Sequence, residues 1–287
     1  NFFNVESFQE KGTNDETTWK LTGERDISDS SMAYLSFTRG FKPGGSNLTF
    51  GFTEAQDLEA GRPVAPALVF PTFEAETVDS IEIGLKADLN EGRTRANLAY
   101  FTYTYDNLQF QATDPDPYRG GVANIPESEM SGLEVELKSL VSDSLTFDMN
   151  LAFLDSEVTS DYMVLDNVDA YQYFFGQEDL RYGLRENVKG NELAKSPEFT
   201  ADVNFTYETS LSSGTLVKSI FQFIHRGDFQ QRVSNNPAVD AIDSYDLINF
   251  TLGFDFVGDK WGLDLMILNA TDEDGVNSSM TDVFGVA

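Results

Sequence analysis

Phe199-Thr-Ala-Asp-Val-Asn-Phe-Thr-Tyr-Glu208 decides the fold: Phe199, Ala201, Val203, Phe205 and Tyr207 point one way, and Thr200, Asp202, Asn204, Thr206 and Glu208 the other. A period of two sustained over about ten residues describes a strand with one apolar face, long enough to cross a bilayer when tilted. The same alternation precedes it in Ile83, Leu85, Ala87 and Leu89, in Leu133, Val135 and Leu137, and in Leu145, Phe147, Met149, Leu151 and Phe153. It follows in Ile248, Phe250, Leu252, Phe254 and Phe256, and again in Trp261, Leu263, Leu265 and Ile267. Weaker runs cover 17–26, 31–39, 93–112 and 214–226. In Ala96 to Tyr105 both faces carry aromatic or small residues, so alternation alone leaves the outward face there open.

The connections between these runs fall into two classes that alternate. Asp26–Asp29, Asn90–Arg93, Val141–Ser144, Thr209–Ser213 and Val257–Lys260 are short and rich in the Gly, Asp, Asn and Ser that tight turns require. Long connections fill about 40–77, 113–130, 156–195 and 227–243. Strict alternation puts every second strand end on the same side, which a soluble sandwich has no reason to do. The expectation is an all-β fold, an antiparallel transmembrane β-barrel, here about ten consecutive strands with periplasmic turns and outer loops.

Composition fits that expectation. The 287 residues are 40% hydrophobic and 13% aromatic, enough for an apolar face. A mean hydropathy of −0.30 and the lack of any run of about eighteen apolar residues exclude a transmembrane helix but not a barrel, whose strands are half apolar. With no cysteine and one histidine, His225, no disulfide framework, metal site or cofactor is expected, and no nucleophile–base arrangement points to an enzyme. A net charge of −29 opposes nucleic-acid binding, which needs a positive field. No leader opens the chain, which begins in what reads as the tail of one loop and stops inside another. Residues 1–287 are therefore expected to be part of a larger barrel domain.

Several stretches resemble the TonB-dependent outer-membrane receptors. They are Tyr34-Leu-Ser-Phe-Thr-Arg-Gly-Phe-Lys-Pro-Gly-Gly-Ser-Asn47, Glu76-Thr-Val-Asp-Ser-Ile-Glu-Ile-Gly-Leu-Lys86 and Ala99-Tyr-Phe-Thr-Tyr-Thr-Tyr-Asp-Asn-Leu-Gln109. Ser131-Gly-Leu-Glu-Val-Glu136, Leu193-Ala-Lys-Ser-Pro-Glu198 and Trp261 through Glu273 complete a set that keeps the family's order over about 19–273. The resemblance implies a 22-stranded barrel, plugged by an N-terminal globular domain, in the bacterial outer membrane. It would import a scarce nutrient, most often a ferric siderophore, with energy relayed by TonB. It also implies that the plug, the TonB-engaging segment, the first barrel half and the final strand lie outside this chain, so that its partners are lipid, those missing parts, TonB and a small-molecule substrate. Ser46 stands where the family often has an aromatic residue. Ten strands with two open edges are expected to aggregate or to need the missing half.

Individual residues take their expected places from this frame. Trp261, Phe254, Phe256 and Tyr207 lie at or near short turns and would join the periplasmic aromatic girdle; ordinary aromatic strand positions are the plainer reading. Glu134, Glu136, Asp148, Asn150, Asp202, Asn204 and Asp264 would face the lumen, as a solvated wall against the plug or as a substrate path. Substrate contacts are sought in the long loops, at Tyr171, Tyr173, Phe174, Phe175, Arg181, Tyr182 and Arg185, with Tyr118, Arg119, His225 and Arg226 beside them. Aromatic faces and Arg forks suit an anionic chelate, a sugar or a corrin, though the same residues also pack loops together. The acidic groups Asp114-Pro-Asp116 and Asp272-Glu-Asp-Gly275 match no EF-hand loop and read as solvated turns. A passive porin and a soluble β-rich binding module remain the alternatives.

Overall fold

A computed structural model describes residues 15–47, 69, 70, 72–115, 118–166, 185–258 and 261–279, without the side chains of 113–115, 118 and 119. Its strands are β1 (Trp19–Ser28), β2 (Ser31–Lys42), β3 (Gly45–Ser46), β4 (Thr72–Phe73), β5 (Glu76–Leu89), β6 (Thr94–Pro115), β7 (Tyr118–Leu140) and β8 (Leu145–Val158). They continue with β9 (Met163–Leu165), β10 (Arg185–Asn187), β11 (Phe199–Ser210), β12 (Leu216–Arg226), β13 (Phe229–Gln230), β14 (Ala241–Ile242), β15 (Tyr245–Asp255) and β16 (Gly262–Ile267). Ten of them form one up-and-down antiparallel meander, β1-β2-β5-β6-β7-β8-β11-β12-β15-β16. The pairs β3/β4, β9/β10 and β13/β14 are short two-stranded antiparallel ladders formed by residues of the long connections. Among the described residues there is no helix, and β1 and β16 each have one unpaired edge.

The short turns sit near their expected places, with local chemistry to match; Asp259 and Lys260 of the turn expected at Val257–Lys260 lie outside the described residues. Asn90, Glu91 and Gly92 all take positive φ, and Gly92 N–H donates to Leu89 O at 3.1 Å to close the β5–β6 turn. Thr209–Ser213 was expected as a turn, but β11 runs to Ser210 and the reversal falls at 211–215, where Gly214 takes φ 84°. The expectation of a long loop at 113–130 is corrected. There β6 and β7 continue as a paired hairpin as far as Pro115 and Tyr118. The hairpin persists because its upper part has apolar neighbours: Ala112 and Ala123 pack with Val69, and Ile125 joins a separate core.

Strand register sorts the two faces. One row runs Leu35, Ile83, Tyr100, Leu133, Phe153, Phe199, and another Phe147, Phe205, Phe221, Phe250, Ile267. On this face Ile83 is 55% and Tyr100 49% exposed, and the apolar surface continues across the sheet. A patch of that size marks a surface made for lipid or protein, not for water. On β5, β8 and β11 the apolar positions run Ile81–Leu89, Leu145–Phe153 and Phe199–Tyr207. Eight steps of about 3.3 Å, tilted by about 40°, give a band about 20 Å tall, close to a barrel's hydrophobic belt. Charge returns just above it on the same face, with Asp79 beside Arg39 at 3.5 Å, and with Asp155 and Glu157.

The opposite face is polar and hydrogen-bonded to itself. Asn249 donates to Gln222 at 3.0 Å, Gln222 donates to Asp202 at 3.0 Å, Asn204 also donates to Asp202, and Asn97 donates to Glu136 at 2.8 Å. This face would line a lumen, where water accepts the remaining lone pairs. Register also settles β6: Leu98, Tyr100 and Thr102 share the lipid-side face, while Phe101, Tyr103 and Tyr105 face inward with Glu82, Ser80 and Val78. Two inward rings lie over glycines. Tyr34 covers Gly84 and donates to Glu82 at 2.6 Å, and Phe101 covers Gly132, where an added Cβ would meet its ring at 2.6 Å.

Candidate functional site: the mouth and its roof

At the loop end of the meander the inner face is covered. The pair Asn107 and Pro126 is skipped in the β6–β7 ladder. Pro126 has no N–H to offer, and Asn107 takes a left-handed φ of 58°. The freed Asn107 carbonyl accepts from Asn124 Nδ2 at 2.8 Å. Above this break Leu108, Phe110 and Ile125 join Met130 and Val158 of the inner face in one core. Val164, Val188, Leu193, Val233 and Tyr162 complete it, so two long connections, 159–198 and 227–244, meet over β6, β7 and β8.

Backbone bonds fix the returning segment alongside β8. Val158 N–H donates to Asn191 O at 2.9 Å, Gly190 N–H to Val158 O at 2.8 Å, and Leu193 N–H to Ser156 Oγ at 3.2 Å. Lys195 N–H donates to Gln230 O at 2.7 Å and ties this segment to the second connection. Asn235, with φ 52°, bonds Glu192 N–H and Glu192 O, and donates to Arg232 O as well.

An ionic clasp locks the same two connections. Arg232 donates to Asp240 through Nε at 2.5 Å and Nη2 at 3.2 Å, and to Asp166 through Nη2 at 3.1 Å. Both carboxylate side chains are only 1% exposed. Burial works against the Arg232 charge, but the Asp240 hydrogen bond and the two carboxylates outweigh it and hold the guanidinium's pKa above its ordinary value. Asn236 completes the network, Nδ2 donating to Asp166 at 2.5 Å and the backbone N–H to Asp240 at 2.8 Å. Hydrogen bonds from Asn187 and Lys189 hold the exposed Asp161 carboxyl below its usual range. Burial, with Glu198 and Asp228 nearby, pushes the Glu192 carboxyl up to about 7.

The candidate residues separate on this geometry. Arg226 pairs with Thr200 and Tyr245 on the inner face, and its guanidinium lies over the Phe229 ring, 4.7 Å from the centroid. Its neighbour His225 falls in the lipid-side row with Ala201 and Asp246. Its imidazole is hydrogen-bonded to Asp246 at 2.7 Å and set against Phe199 at 5.3 Å, away from the lumen. Tyr118 and Arg119 stand at the tip of the β6–β7 hairpin, paired with Pro115 and Asp114. Arg185 opens β10 opposite Leu165. Tyr171, Tyr173, Phe174, Phe175, Arg181 and Tyr182 lie outside the described residues. At the turn end, Trp261 is 78%, Tyr207 46% and Phe256 43% exposed, and Phe254 stacks on Phe256 with centroids 6.5 Å apart.

Sequence reasoning missed the Arg232 clasp, Glu192 and the inward Tyr103 and Tyr105. Arg232 and Asp166 are 66 positions apart, so no local spacing announces them. A cavity of about 370 Å³ lined by Thr102, Thr104, Glu129, Ser131, Asp155 and Glu157, among others, takes most of its wall from the lipid-side face, so it is not part of the mouth. The Asp272–Gly275 group is a turn closed by Asn269, which accepts from Glu273 N–H at 3.0 Å and donates to Glu273 O at 2.9 Å.

Comparison with known proteins adds to this geometry. A family profile described as "TonB dependent receptor-like, beta-barrel" matches residues 2–270. A protein named as the probable TonB-dependent siderophore receptor PiuA of Acinetobacter baumannii is 24% identical over 153 residues, 53% of this chain and 19% of that protein. The solved structure of the ferric yersiniabactin uptake receptor FyuA from Yersinia pestis superposes with a TM-score of 0.64 at 16% identity, over 88% of this chain and 32% of that one. The structure of PiuA from Acinetobacter baumannii superposes at 0.61 with 18% identity, over 89% and 32%. The chain thus spans about a fifth of the curated relative and a third of the solved ones.

Proposed function

Since the chain belongs to the family of TonB-dependent receptor β-barrels of the bacterial outer membrane, we propose that it forms part of the wall and mouth of a receptor that takes up a ferric siderophore, energised through TonB. The observation that carries this reading is the roof. Two long connections, packed on a common core and clasped by Arg232, fold over the polar face of the meander. A passive pore gains nothing from such a cover, whereas a receptor needs outer loops that form a binding surface at the lumen's entrance. The names of the similar proteins, siderophore and ferric yersiniabactin receptors, favour an iron chelate.

Within that reading Arg226 is the cargo contact with the best support. It faces the lumen at the mouth and is oriented by the Phe229 ring. A guanidinium set over a ring keeps N–H groups on its other sides to offer an anionic oxygen of a chelate. Tyr118, Arg119, Arg185 and the aromatic and Arg residues of 171–182 are further contacts in the same proposal. The polar inner wall, with Glu134, Glu136 and Asp202, faces a plug domain in the full-length protein. The two edges, β1 and β16, pair there with further strands, because lipid leaves no backbone group unsatisfied.

The test is uptake by the full-length protein in cells whose own receptors are deleted. Radiolabelled ferric siderophores should accumulate when TonB is present and fail to accumulate in a TonB-deleted strain. TonB-independent uptake, falling only with solute size, would favour a passive pore instead.

A further inference from the structure

In the roof, Thr159 Oγ1, Gln230 Oε1 and Glu192 Oε1 are buried without a hydrogen-bond partner, and of these three residues only Glu192 can carry a charge. Glu192 is fixed by its backbone, which bonds the Asn235 side chain through both N–H and C=O. Its carboxyl sits in the seam between segments 188–198 and 227–236, where Oε1 is buried without a hydrogen-bond partner. The charges that face it have the wrong sign: Glu198 on its own segment and Asp228 on the other.

Cations of the same region are engaged elsewhere. Lys189 bonds Asp161 at 3.2 Å, Lys195 Nζ reaches Ser278 Oγ at 3.5 Å, Arg232 holds Asp240 and Asp166, and Arg226 lies over Phe229. On the adjoining β8, Asp155 and Glu157 belong to the opposite, lipid-side face. Only a backbone hydrogen bond from Gln230 favours the ionised carboxyl. Among the described residues no group of three or more acids or histidines is placed to hold a metal ion, so a cation does not resolve the conflict there.

We propose that Glu192 makes this seam a proton-operated latch. Protonated, its carboxyl lets the two loop segments stay packed over the inner face. Ionised, it is repelled by Asp228 across the seam, a repulsion that Glu198 on its own segment reinforces, and the segments part to open the mouth. Val188, Leu193 and Val233 of the core and Arg232 of the clasp lie within these same segments and oppose the parting, which limits how far the seam opens.

The direction follows from the charge. Burial, then Glu198 and Asp228, raise the Glu192 carboxyl from 4.5 to about 7. A raised carboxyl leaves the closed seam at full strength below its ordinary value and weakens it as pH climbs, with the loss complete above about 7. Each unit of such a shift corresponds to about a tenfold change in equilibrium.

Hydrogen-exchange mass spectrometry on the full-length outer-membrane protein in detergent, from about pH 5 to pH 8.5 and corrected for intrinsic exchange, tests this. Peptides covering 188–198 and 227–236 should open at least about tenfold more at the alkaline end, while a peptide in 201–210 stays unchanged. Glu192→Gln should remove the pH response and keep the seam closed throughout. Asp228→Asn, which leaves Glu192 in place, should move the midpoint to lower pH. A wild-type profile without pH response overturns the proposal, as does Glu192→Gln retaining the wild-type response. If Glu192→Gln fails to fold, an unshifted midpoint in Asp228→Asn overturns it instead.

Discussion

Replacing Arg232 by Ala should loosen the roof without unravelling the wall beneath it. The side chain supplies three hydrogen bonds, at 2.5 and 3.2 Å to Asp240 and 3.1 Å to Asp166, and both carboxylates are 1% exposed. Truncation leaves two buried negative charges facing one another. Breaking one side of a buried ion pair costs about 3–5 kcal/mol. Asn236 still donates to both carboxylates, which places the cost near the lower end, about 3 kcal/mol or roughly a hundredfold in local opening. Arg232→Lys keeps the charge but loses the fork, and should fall between the two.

Native-state proteolysis of the full-length protein measures this, because cleavage of a transiently open loop tracks the open population. Cuts within 159–166 and 231–242 should accelerate by about the predicted factor, while β11 and β12 remain uncut. Cleavage within twofold of wild type would refute the clasp as an energetic element. Equal loss of protection in β11 and β12 would refute its confinement to the roof.

Four further substitutions test the wall and the seam. Leu85→Arg, mid-band on the lipid-side face of β5, should lower folding stability in liposomes by about 2–4 kcal/mol, whereas Asn150→Arg on the inner face should cost far less. Gly132→Val should cost about 1–3 kcal/mol in urea unfolding, because its Cβ meets the Phe101 ring at 2.6 Å and Leu154 and the Phe153 carbonyl at 2.8 Å. Asn235→Ala removes the bonds to Glu192 and to Arg232 O from a residue in the left-handed region. It should raise hydrogen exchange at Glu192 by at least about tenfold.

The meander was legible where one face is uniformly apolar. Phe199 to Tyr207 and Leu145 to Phe153 alternate strictly because lipid tolerates nothing else on that side. Ala96 to Tyr105 could not be oriented from sequence because its inner face is aromatic too, and the reason is Gly132: with no side chain there, Phe101 is laid flat across the neighbouring strand. The upper β6–β7 hairpin was hidden for a different reason. Above Asn107 and Pro126 it stands clear of the band and is tied to a connection far away in sequence, the Asn47 side chain bonding Val122 and the hairpin's own Gln109 donating to the Pro43 and Glu74 carbonyls. The mouth follows the same logic. Arg226 was legible as a strand-end cation, but only register separated it from His225 on the other face.

The central claim is that Phe199, Ala201, Val203, Phe205 and Tyr207 face lipid while Thr200, Asp202, Asn204, Thr206 and Glu208 face the lumen. This chain has no cysteine, and single cysteines placed at 199–208 of the full-length protein in the outer membrane, with any cysteine elsewhere in it replaced by serine, can each carry a nitroxide label. Collision with lipid-dissolved oxygen against a water-soluble paramagnetic ion should alternate residue by residue, with the odd positions favouring oxygen. A flat profile, or one with the even positions favouring oxygen, would contradict the account.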